Sequence, residues 1–386
     1  METGAALHRH WALSASISYL NHGSYGATPR VVQEAQVRFR AELESGPVHF
    51  MGRRLEPLLD AARARLAALL GAREADLVFV PNATHGVNAV LRSLPFGPGD
   101  ELLTTDHAYN ACRNALDEVA ARTGACVTVA HLPWPIPSAA ALAEAVTATF
   151  TPRTRLLLLD HVTSPSAAVL PVAEIVSAAR ARGIFTLVDG AHAPGMVPLQ
   201  LSALGADAYT GNCHKWLCAP KGAAFLWVAP AHQGRMRPLA VSHGRNSPRT
   251  DRSRFQLEFD WTGTADPTAA LCVPAALDFL ESLLPGGLPA LMAHNAQLAR
   301  TGRDILARAL GVVPPVADAC LGSMAALELP PGDAPALHDA LYDAGFEVPV
   351  IPFPAAPARL LRISAQAYNH AGEYAALAAA LPRLLG

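Results

Sequence analysis

Two lysines stand out among the charged residues of this chain. Of its 30 lysine and arginine residues only Lys215 and Lys221 are lysines, and all the others are arginines. A guanidinium stays protonated and cannot form a Schiff base at neutral pH, whereas a lysine amine can. A lysine retained in so arginine-rich a chain is a candidate for covalent chemistry, and its neighbours make Lys215 the stronger one. For Lys221, survival by chance is an equally good interpretation.

The neighbours of Lys215 indicate which chemistry this is. The segment LVDGAHAPG (187–195) places Asp189 at the end of an apolar strand, where a carboxylate is costly unless it has a function. The segment TGNCHKW (210–216) then places Lys215 after the next strand. Pyridoxal 5′-phosphate (PLP) needs a carboxylate beside its pyridine nitrogen, because the protonated ring is the electron sink. The pattern favours a PLP site; capping or metal binding is the alternative for Asp189.

A third segment could bind an anion. PNATHGVN (81–88) is a polar turn with a glycine, between a predicted strand and a predicted helix. Free backbone N–H groups at the start of that helix would bind a phosphate, and Thr84 adds a hydroxyl. An ordinary helix N-cap is an equally good interpretation of this segment alone.

Short apolar strands that alternate with amphipathic helices would position these segments. Nearly continuous apolar strands predict an α/β fold whose mostly parallel sheet is covered by helices on both faces. Ligands bind outside the carboxyl ends of such strands, where all three segments fall. The predicted strands are 77–80, 101–104, 126–130, 156–160, 185–188, 208–210 and 223–228. Helices are predicted over 55–70, 139–149, 172–182 and 268–284, and another beginning at Thr28 (N-cap) and Pro29.

The length of 386 residues predicts more than one core. We expect an N-terminal arm (1–30), a large PLP-binding domain (31–285) and a small C-terminal α/β domain (286–386) with strands at 325–329, 347–351 and 360–363. The net charge of −2 gives no reason to expect nucleic acid or an anionic membrane as partner. No apolar run approaches the roughly 20 residues that span a bilayer, so we expect a cytoplasmic protein.

The motifs together resemble a known family. YLNHGSYG, NATHGVN, DHAYNA, DHVTSPSA, VDGAHAPG, YTGNCHKW, DWTGTADP and LRISAQAYN resemble, in this order over residues 19–369, the class V aminotransferase-fold PLP enzymes of fold type I. The resemblance is to the branch that includes isopenicillin N epimerase, cysteine desulfhydrases and C–S lyases. It implies a homodimer with shared active sites.

The resemblance also implies roles for individual residues. Lys215 would be the catalytic Schiff-base lysine and Asp189 the partner of the pyridine nitrogen. His192 would support that aspartate or lie near the ring. Tyr109 resembles the aromatic residue that stacks on the ring, where desulfurases have histidine; a core tyrosine is the alternative.

The remaining cofactor contacts follow from the same resemblance. Ala83, Thr84 and His85 resemble the phosphate loop, with His214 as a further phosphate ligand. Thr264 resembles the phosphate contact given across the dimer interface. Thr163 or Ser164 would bond the ring hydroxyl, and the choice between these two residues stays open.

Substrate contacts are predicted on both ends of the chain. Arg362 resembles the arginine that clamps the substrate carboxylate, for which its planar fork is suited; a surface ion pair is the alternative. Asn21 and His22 would line the substrate pocket. His49, Arg53 and Arg245 could contribute, but exposed loop charges are at least as good an interpretation.

The six cysteines lack paired spacing and are expected to be reduced thiols. Cys213 and Cys218 could suggest a metal site with His214 or a persulfide-carrying thiol, but we interpret them as small buried residues, and we expect no metal. Cys320 is the only cysteine of the C-terminal part, and its surroundings do not match the mobile loop of the desulfurases.

Several reactions share this set of residues. We expect an amino-acid substrate and place amino-acid epimerisation first. C–S lysis or cysteine desulfhydration by β-elimination, transamination, and PLP binding without turnover are the alternatives, because the reaction depends on pocket shape and on a second acid.

Overall fold

The computed structural model describes residues 4–385. It contains twelve strands, whose bounds are β1 (Ser18–Tyr19), β2 (Leu77–Val80), β3 (Glu101–Thr105), β4 (Cys126–Ala130), β5 (Thr154–Asp160), β6 (Phe185–Asp189), β7 (Ala208–Asn212), β8 (Ala224–Val228), β9 (Met324–Leu329), β10 (Phe346–Glu347), β11 (Val350–Pro352) and β12 (Arg359–Ser364).

Helices surround these strands. Their bounds are α1 (His22–Tyr25), α2 (Arg30–Ser45), α3 (Pro47–His49), α4 (Leu55–Leu70), α5 (Ala83–Ser93), α6 (Asn110–Thr123), α7 (Ala139–Thr147), α8 (Val172–Ala181), α9 (Leu201–Leu204), α10 (Pro230–Gln233), α11 (Arg254–Phe259), α12 (Thr268–Leu271), α13 (Val273–Leu283), α14 (Gly287–Leu310), α15 (Ala334–Asp343) and α16 (Ala371–Leu385). A π-helical turn (Phe50–Arg54) leads into α4, and 3₁₀ turns lie at Gly4–His10, Glu74–Asp76, His243–Asn246 and Asp318–Cys320.

The predicted mostly parallel sheet is confirmed. Seven strands are arranged in the order β2-β8-β7-β6-β5-β3-β4. All neighbours from β7 to β4 are parallel, and only β8 runs antiparallel to the strands on either side of it. The carboxyl ends of β5, β6 and β7 therefore lie side by side at one edge of the sheet.

Both faces of this sheet are buried, which explains the uninterrupted apolar strands. Successive side chains of a strand point to opposite faces. In β5, Leu157 and Leu159 accordingly join one apolar cluster, whereas Leu156 and Leu158 join a second cluster. Helices α5 and α6 contribute to the second cluster, and α8 contributes to the first.

A smaller sheet lies in the C-terminal part of the chain. Its order is β11-β12-β9 with antiparallel neighbours, and the long helix α14 packs on β9 and α16. The short strand β1 pairs in parallel with β10, which ties the N-terminal segment to this part. One apolar cluster runs continuously from Leu7 to Leu381. Because this cluster includes residues of all three predicted units, their boundaries stay a prediction. Positions 1–3 and 386 lie outside the described residues.

Three predicted element bounds need correction. Helix α2 begins at Arg30 with Pro29 as its N-cap, because the Thr28 hydroxyl donates to the Ala219 carbonyl instead of capping the helix. The single helix expected over 268–284 is two helices, and Pro274 lies in the first turn of the second one. The strand expected over 347–351 is divided between β10 and β11, which belong to different sheets.

No single helix within residues 4–385 has both the length and the apolar character to cross a membrane. The bent pair Thr268–Leu283 and Gly287–Leu310 meets these two criteria jointly, by length and composition alone.

Candidate active site

The predicted site residues converge at the carboxyl ends of β5, β6 and β7. The fold forms a cavity of about 550 Å³ there. This is the edge at which an open α/β sheet binds its ligands. The predicted cofactor-binding residues that line the cavity are Ala83, Thr84, Tyr109, Ser164, Asp189, His192, His214 and Lys215.

Lys215 follows β7 and carries an amine with an altered pKa. Burial, together with the positive charge of Arg362, lowers the pKa of Lys215 to about 8, although Asp189 opposes this shift. The Nζ atom lies 3.2 Å from Nε2 of His192. An amine that titrates near neutral pH can act both as a nucleophile and as a base.

Asp189 ends β6 and lies at the floor of the cavity. Its Oδ1 accepts a hydrogen bond of 2.9 Å from the backbone N–H of Ala191, and its Oδ2 accepts one of 3.0 Å from the Cys112 thiol. Neither donor carries a charge. A buried carboxylate supported only in this way is suited to a positively charged ligand group.

Asp160 lies beside Asp189 in the neighbouring strand and also lines the cavity. Parallel strands lie about 4.8 Å apart, and residues in register point to the same face. Burial and the negative charge of Asp189 raise the pKa of Asp160 well above its usual value. This environment therefore favours the neutral form of the Asp160 carboxyl group.

His192 is a neutral imidazole in this environment. Burial and the positive charges of Lys215 and Arg362 lower its pKa well below the usual value. Its Nε2 faces the Lys215 amine, whereas its buried Nδ1 has no hydrogen-bond partner within the described protein. A buried nitrogen without a hydrogen-bond partner is costly, so Nδ1 of His192 is available to form a hydrogen bond with a bound ligand.

The opposite end of the cavity is suited to a phosphate. The start of α5 lies here together with His214 and Lys221. Nδ1 of His214 donates to the carbonyl of Ala223 at 2.9 Å, and burial lowers the pKa of this histidine to about 4. The Lys221 ammonium donates to the carbonyl of Gly26 at 2.7 Å and is a positive charge at this end of the cavity.

Arg362 lies behind the cavity wall. Nη1 donates to the carbonyl of Ser164 at 2.6 Å, and Nη2 donates to the hydroxyl of Ser24 at 3.0 Å. Both serines line the cavity. The guanidinium is 4% exposed, which excludes the surface ion pair, and burial lowers its pKa to about 10. It is thus a buried cation beside the cavity, and its contact with a substrate carboxylate stays a prediction.

Comparison with known proteins identifies the family. The model of the class-V aminotransferases matches residues 19–349. The chain belongs to the class-V aminotransferase family. This class-V enzyme is therefore PLP-dependent, as the sequence predicted.

Two bacterial relatives resemble this class-V enzyme over nearly its whole length. The isopenicillin N epimerase of Amycolatopsis lactamdurans is 40% identical, over 97% of this chain and 96% of the relative. The isopenicillin N epimerase of Streptomyces clavuligerus is 37% identical over the same shares of the two chains. A putative L-cysteine desulfhydrase of Oryza sativa subsp. japonica is 32% identical, over 82% of this chain and 68% of the relative.

Solved structures confirm the fold-type I architecture. A C-DES variant with glycine covalently linked to its PLP cofactor superposes with a TM-score of 0.85 at 23% identity, over 98% of both chains. The cysteine desulfurase CsdA from Escherichia coli superposes with a TM-score of 0.82 at 24% identity, over 100% of this chain and 99% of the other. At this level of identity the likeness concerns the fold.

The residues of the cavity fit PLP. Lys215 provides an amine of near-neutral pKa, and Asp189 provides a carboxylate without a cationic partner for the pyridine nitrogen. Thr84, His214 and Lys221 also line the cavity and are suited to a phosphate. The individual contacts remain predictions.

Two predicted cofactor ligands of the class-V enzyme need correction. Thr163 is fully buried, and its hydroxyl accepts from the N–H of Ala168 at 2.9 Å, so of the two candidates for the ring hydroxyl only Ser164 lines the cavity. His85 does not line the cavity either, and its N–H donates to the Asn82 side chain at 2.8 Å.

The phosphate loop offers fewer free backbone groups than we predicted. The N–H of Ala83 donates to the side chain of Asn212 at 2.9 Å, in addition to the capped N–H of His85. Ala83 and Thr84 still line the cavity. The phosphate position therefore depends more on the side chains of Thr84, His214 and Lys221 than the turn sequence indicates.

The predicted role of His22 in the substrate pocket is wrong for this geometry. His22 is 0% exposed, its Nε2 donates to the Lys215 carbonyl at 3.0 Å, and its Nδ1 accepts from the Tyr368 hydroxyl at 2.8 Å. Asn21 is also buried; its Oδ1 accepts from Ser24 at 2.6 Å and from Arg362 at 3.4 Å. Both residues act behind the wall, His22 on the Lys215 segment and Asn21 on Arg362.

Other predicted residues lie at the rim or outside. Tyr109 lines the cavity and is 45% exposed, so it is not a core tyrosine. Thr264 is exposed and does not line the cavity of its own chain. His49, Arg53 and Arg245 are exposed as well, and Arg245 lies 3.8 Å from the Glu258 carboxylate.

The positions of Cys213 and Cys218 agree with their interpretation as small buried residues. Cys213 and Cys218 are buried, and burial raises the pKa of both thiols, so neither is a thiolate. No group of three or more histidine, cysteine or acidic residues within 4–385 is arranged to hold a metal ion. Cys320 is also buried.

Sequence reasoning missed Asp160 and Cys112. Asp160 ends an apolar strand as Asp189 does, and the argument from the cost of a buried carboxylate applies equally to it. Cys112 carried no such signal, because only the folding of distant parts of the chain brings its thiol to Asp189.

Proposed function

We propose that this enzyme inverts the configuration at Cα of an amino-acid substrate and that isopenicillin N, or a close analogue, is that substrate. The observation that carries this proposal is the 40% identity to an isopenicillin N epimerase over 97% of the chain. The complete set of amine, carboxylate and buried guanidinium supports catalysis rather than binding without turnover.

In the first half of the reaction, which ends with removal of the Cα proton, each residue has a separate role. Arg362 fixes the substrate carboxylate with its planar fork, and Ser24 and Ser164 hold the guanidinium in place. Bound PLP supplies an electron-withdrawing ring that stabilises negative charge at Cα. Asp189 holds a proton on the pyridine nitrogen, because its buried charge has only neutral donors as partners.

Lys215 removes the proton from Cα. Its pKa of about 8 leaves a useful fraction of free amine near neutral pH. His192 accepts a hydrogen bond from this amine at 3.2 Å and keeps it directed into the cavity. Because the imidazole is neutral, it orients the amine without competing for the proton.

The test is incubation of the holoenzyme with isopenicillin N in D₂O. We expect inversion at Cα, which chiral chromatography detects. We also expect one deuterium to be incorporated per inverted molecule, which mass spectrometry detects. The Lys215→Ala variant is the control and should lose both signals. Absence of inversion together with release of a fragment would contradict the proposal.

β-Elimination is the second candidate, because an L-cysteine desulfhydrase relative is 32% identical over 82% of the chain. The first half of the reaction is the same, and the fate of the β-substituent differs. Incubation with L-cysteine and L-cystine distinguishes the two candidates, since a lyase releases sulfide or a persulfide together with pyruvate and ammonia. We expect this release to be slow compared with inversion of isopenicillin N.

We also propose a homodimer, with Thr264 of each chain reaching the cofactor phosphate of the other site. The exposed position of Thr264, outside the cavity of its own chain, supports this arrangement. Sedimentation equilibrium should give twice the chain mass of 40.5 kDa. A monomer that retains full PLP affinity would contradict it.

A cytoplasmic location is proposed for the enzyme, because its cysteines are free thiols. Cell fractionation followed by an immunoblot tests this, and recovery outside the cytoplasmic fraction would contradict it.

We propose three structural units with boundaries near 30 and 285, and limited proteolysis should cut near these positions first.

A further inference from the structure

Epimerisation needs two proton carriers, and the proposed function assigns only one. A single base that removes and returns the proton on the same side restores the original configuration. Inversion requires that a second group deliver a proton to the opposite side of Cα. The inference below rests on the proposed epimerase function and names this second group.

The order of the strands separates the walls of the cavity. Lys215 follows β7, and its partner His192 follows β6. Asp189 and Asp160, at the ends of β6 and β5, form the floor. Lys215 and His192 therefore lie together on the side of the cavity that follows β6 and β7.

Tyr109 occupies the opposite wall. It precedes α6 in the connection that leaves β3, and β3 lies beyond β5 in the sheet. Its phenol lines the cavity and has no hydrogen-bond partner within residues 4–385. Burial raises the pKa of Tyr109, so that the phenol keeps its proton at neutral pH, whereas the charge of Arg362 opposes this shift.

The strand order also places Tyr109 near Arg362. Tyr109 follows β3, which pairs with β5, and the segment after β5 carries Ser164, whose carbonyl and hydroxyl accept hydrogen bonds from Arg362. The proposed function has Arg362 hold the substrate carboxylate, which is bonded to Cα. The phenol is therefore on the side of the cavity where Cα is held.

The other proton donors of the cavity lie elsewhere in it. Asp160 lies on the floor beside Asp189, and the Lys221 ammonium donates to the Gly26 carbonyl. The hydroxyls of Ser24 and Ser164 contact Arg362. Thr84 and His214 lie at the phosphate end. The one competing phenol is Tyr25, which is 71% exposed at the mouth of the cavity.

We propose that Tyr109 is the second catalytic residue of epimerisation, delivering its phenolic proton to Cα from the side opposite Lys215. The Lys215 amine takes the Cα proton and becomes an ammonium. The C–H bond on the other side forms with the proton of Tyr109, which becomes a phenolate near Arg362. Proton exchange with water then returns the ammonium to the amine and the phenolate to the phenol, so no proton or electron is left over.

The test compares Tyr109→Phe with the wild-type holoenzyme on isopenicillin N in D₂O. Phenylalanine keeps the aromatic ring and removes only the hydroxyl. We expect inversion to fall about 10²-fold or more, while deuterium still enters Cα with retained configuration, because Lys215 removes the proton, exchanges it with D₂O and returns a deuteron to the same side. Equilibrium titration of the apoenzyme should show unchanged PLP affinity, a readout independent of turnover.

Two further variants complete the design. Tyr342→Phe changes an exposed phenol on α15 and should behave as the wild type. Tyr25→Phe tests the competing phenol. Inversion by Tyr109→Phe within a few-fold of the wild type, or loss of inversion in Tyr25→Phe alone, overturns the assignment. A wild type that exchanges the Cα hydrogen but never inverts isopenicillin N overturns the proposed function itself, and the role of Tyr109 with it.

Discussion

The carboxylate of Asp189 is held by two unlike donors, a backbone N–H and the thiol of Cys112. The thiol is a weak donor, yet it determines which way Oδ2 points. Asp160 lies beside Asp189, and burial together with the charge of Asp189 raises the pKa of Asp160. The contact to Cys112 is therefore the part of this arrangement that a single substitution can remove without altering the charge.

We predict that Cys112→Ala weakens PLP binding. Loss of one hydrogen bond to a buried carboxylate costs about 1 kcal/mol, which corresponds to roughly a fivefold increase in Kd. Fluorescence titration of the apoenzyme measures this change. Cys112→Ser keeps a donor of similar size and should remain near the wild type; equal PLP affinity in Cys112→Ala would show that the thiol does not position Asp189.

The amine of Lys215 leads to a pH prediction. Because burial and Arg362 lower its pKa to about 8, the rate at which the apoenzyme captures PLP should rise with pH and level off above about 8. Stopped-flow absorbance measures this rate. Arg362→Gln removes a positive charge near Lys215, so the pKa rises and the levelling should move to higher pH. A rate that keeps rising to pH 10 in the wild type would contradict the low pKa.

At this scale the sequence allowed some predictions and not others. Lys215 was predictable because lysine is rare in this chain. Asp189 was predictable because a carboxylate at the end of an apolar strand is costly to bury unless it has a function. The choice between Thr163 and Ser164 was not, because neighbouring residues differ only in the direction that the fold gives them. Thr163 turns inward to cap the N–H of Ala168, and Ser164 turns to the cavity. The contact of Thr163 is local, whereas Ser164 contacts Arg362 in a distant part of the chain, which no local pattern indicates.

Among the elements, the N-terminal segment from Asn21 to Gly26, here called the strap, closes over the Lys215 loop. His22 bonds the Lys215 carbonyl, and the Gly26 carbonyl accepts from Lys221. Gly26 has φ of +68°, and a Cβ there would clash with the carbonyl oxygen of His214. The contacts of the strap with Lys215 and Lys221 therefore require that the backbone at Gly26 come close to the backbone at His214.

We predict that His22→Ala destabilises the protein by about 2–4 kcal/mol, because it leaves the buried Tyr368 hydroxyl and the Lys215 carbonyl without their partner. Urea denaturation of the apoenzyme measures the change. His49→Ala, at an exposed position, is the matched control and should stay within about 0.5 kcal/mol. Equal stability of the two variants would mean that the strap is not held through His22.

The bounds of most elements were predictable, because an apolar strand buried on both faces and an amphipathic helix have distinct patterns. The errors fall where one side chain has a distant partner or a proline interrupts the pattern. Thr28 looked like an N-cap, but its hydroxyl bonds Ala219, far away in the chain. Strand 347–351 looked continuous, but the chain passes from one sheet to another there.

At the scale of the whole molecule, a single chain gives no explanation for the predicted phosphate contact of Thr264, which lies in an exposed loop. A cavity of about 130 Å³ lies beside it, lined by apolar residues of α4 and by Phe79, Phe259 and Trp261. The cofactor cavity of the same chain does not include Thr264. In the proposed homodimer we therefore expect Thr264 to make its predicted phosphate contact at the site of the other chain.

Mixing two defective variants tests this arrangement. We predict that Thr264→Ala lowers PLP affinity about tenfold, because a hydrogen bond to a charged phosphate is lost. Lys215→Ala removes the amine. In a mixed dimer, one site then has Lys215 from one chain and Thr264 from the other, so borohydride-stable labelling of Lys215 at limiting PLP should rise after the chains exchange. If Thr264 served the site of its own chain, every Lys215 in the mixture would lack it, and the labelling would stay at the level of Thr264→Ala alone.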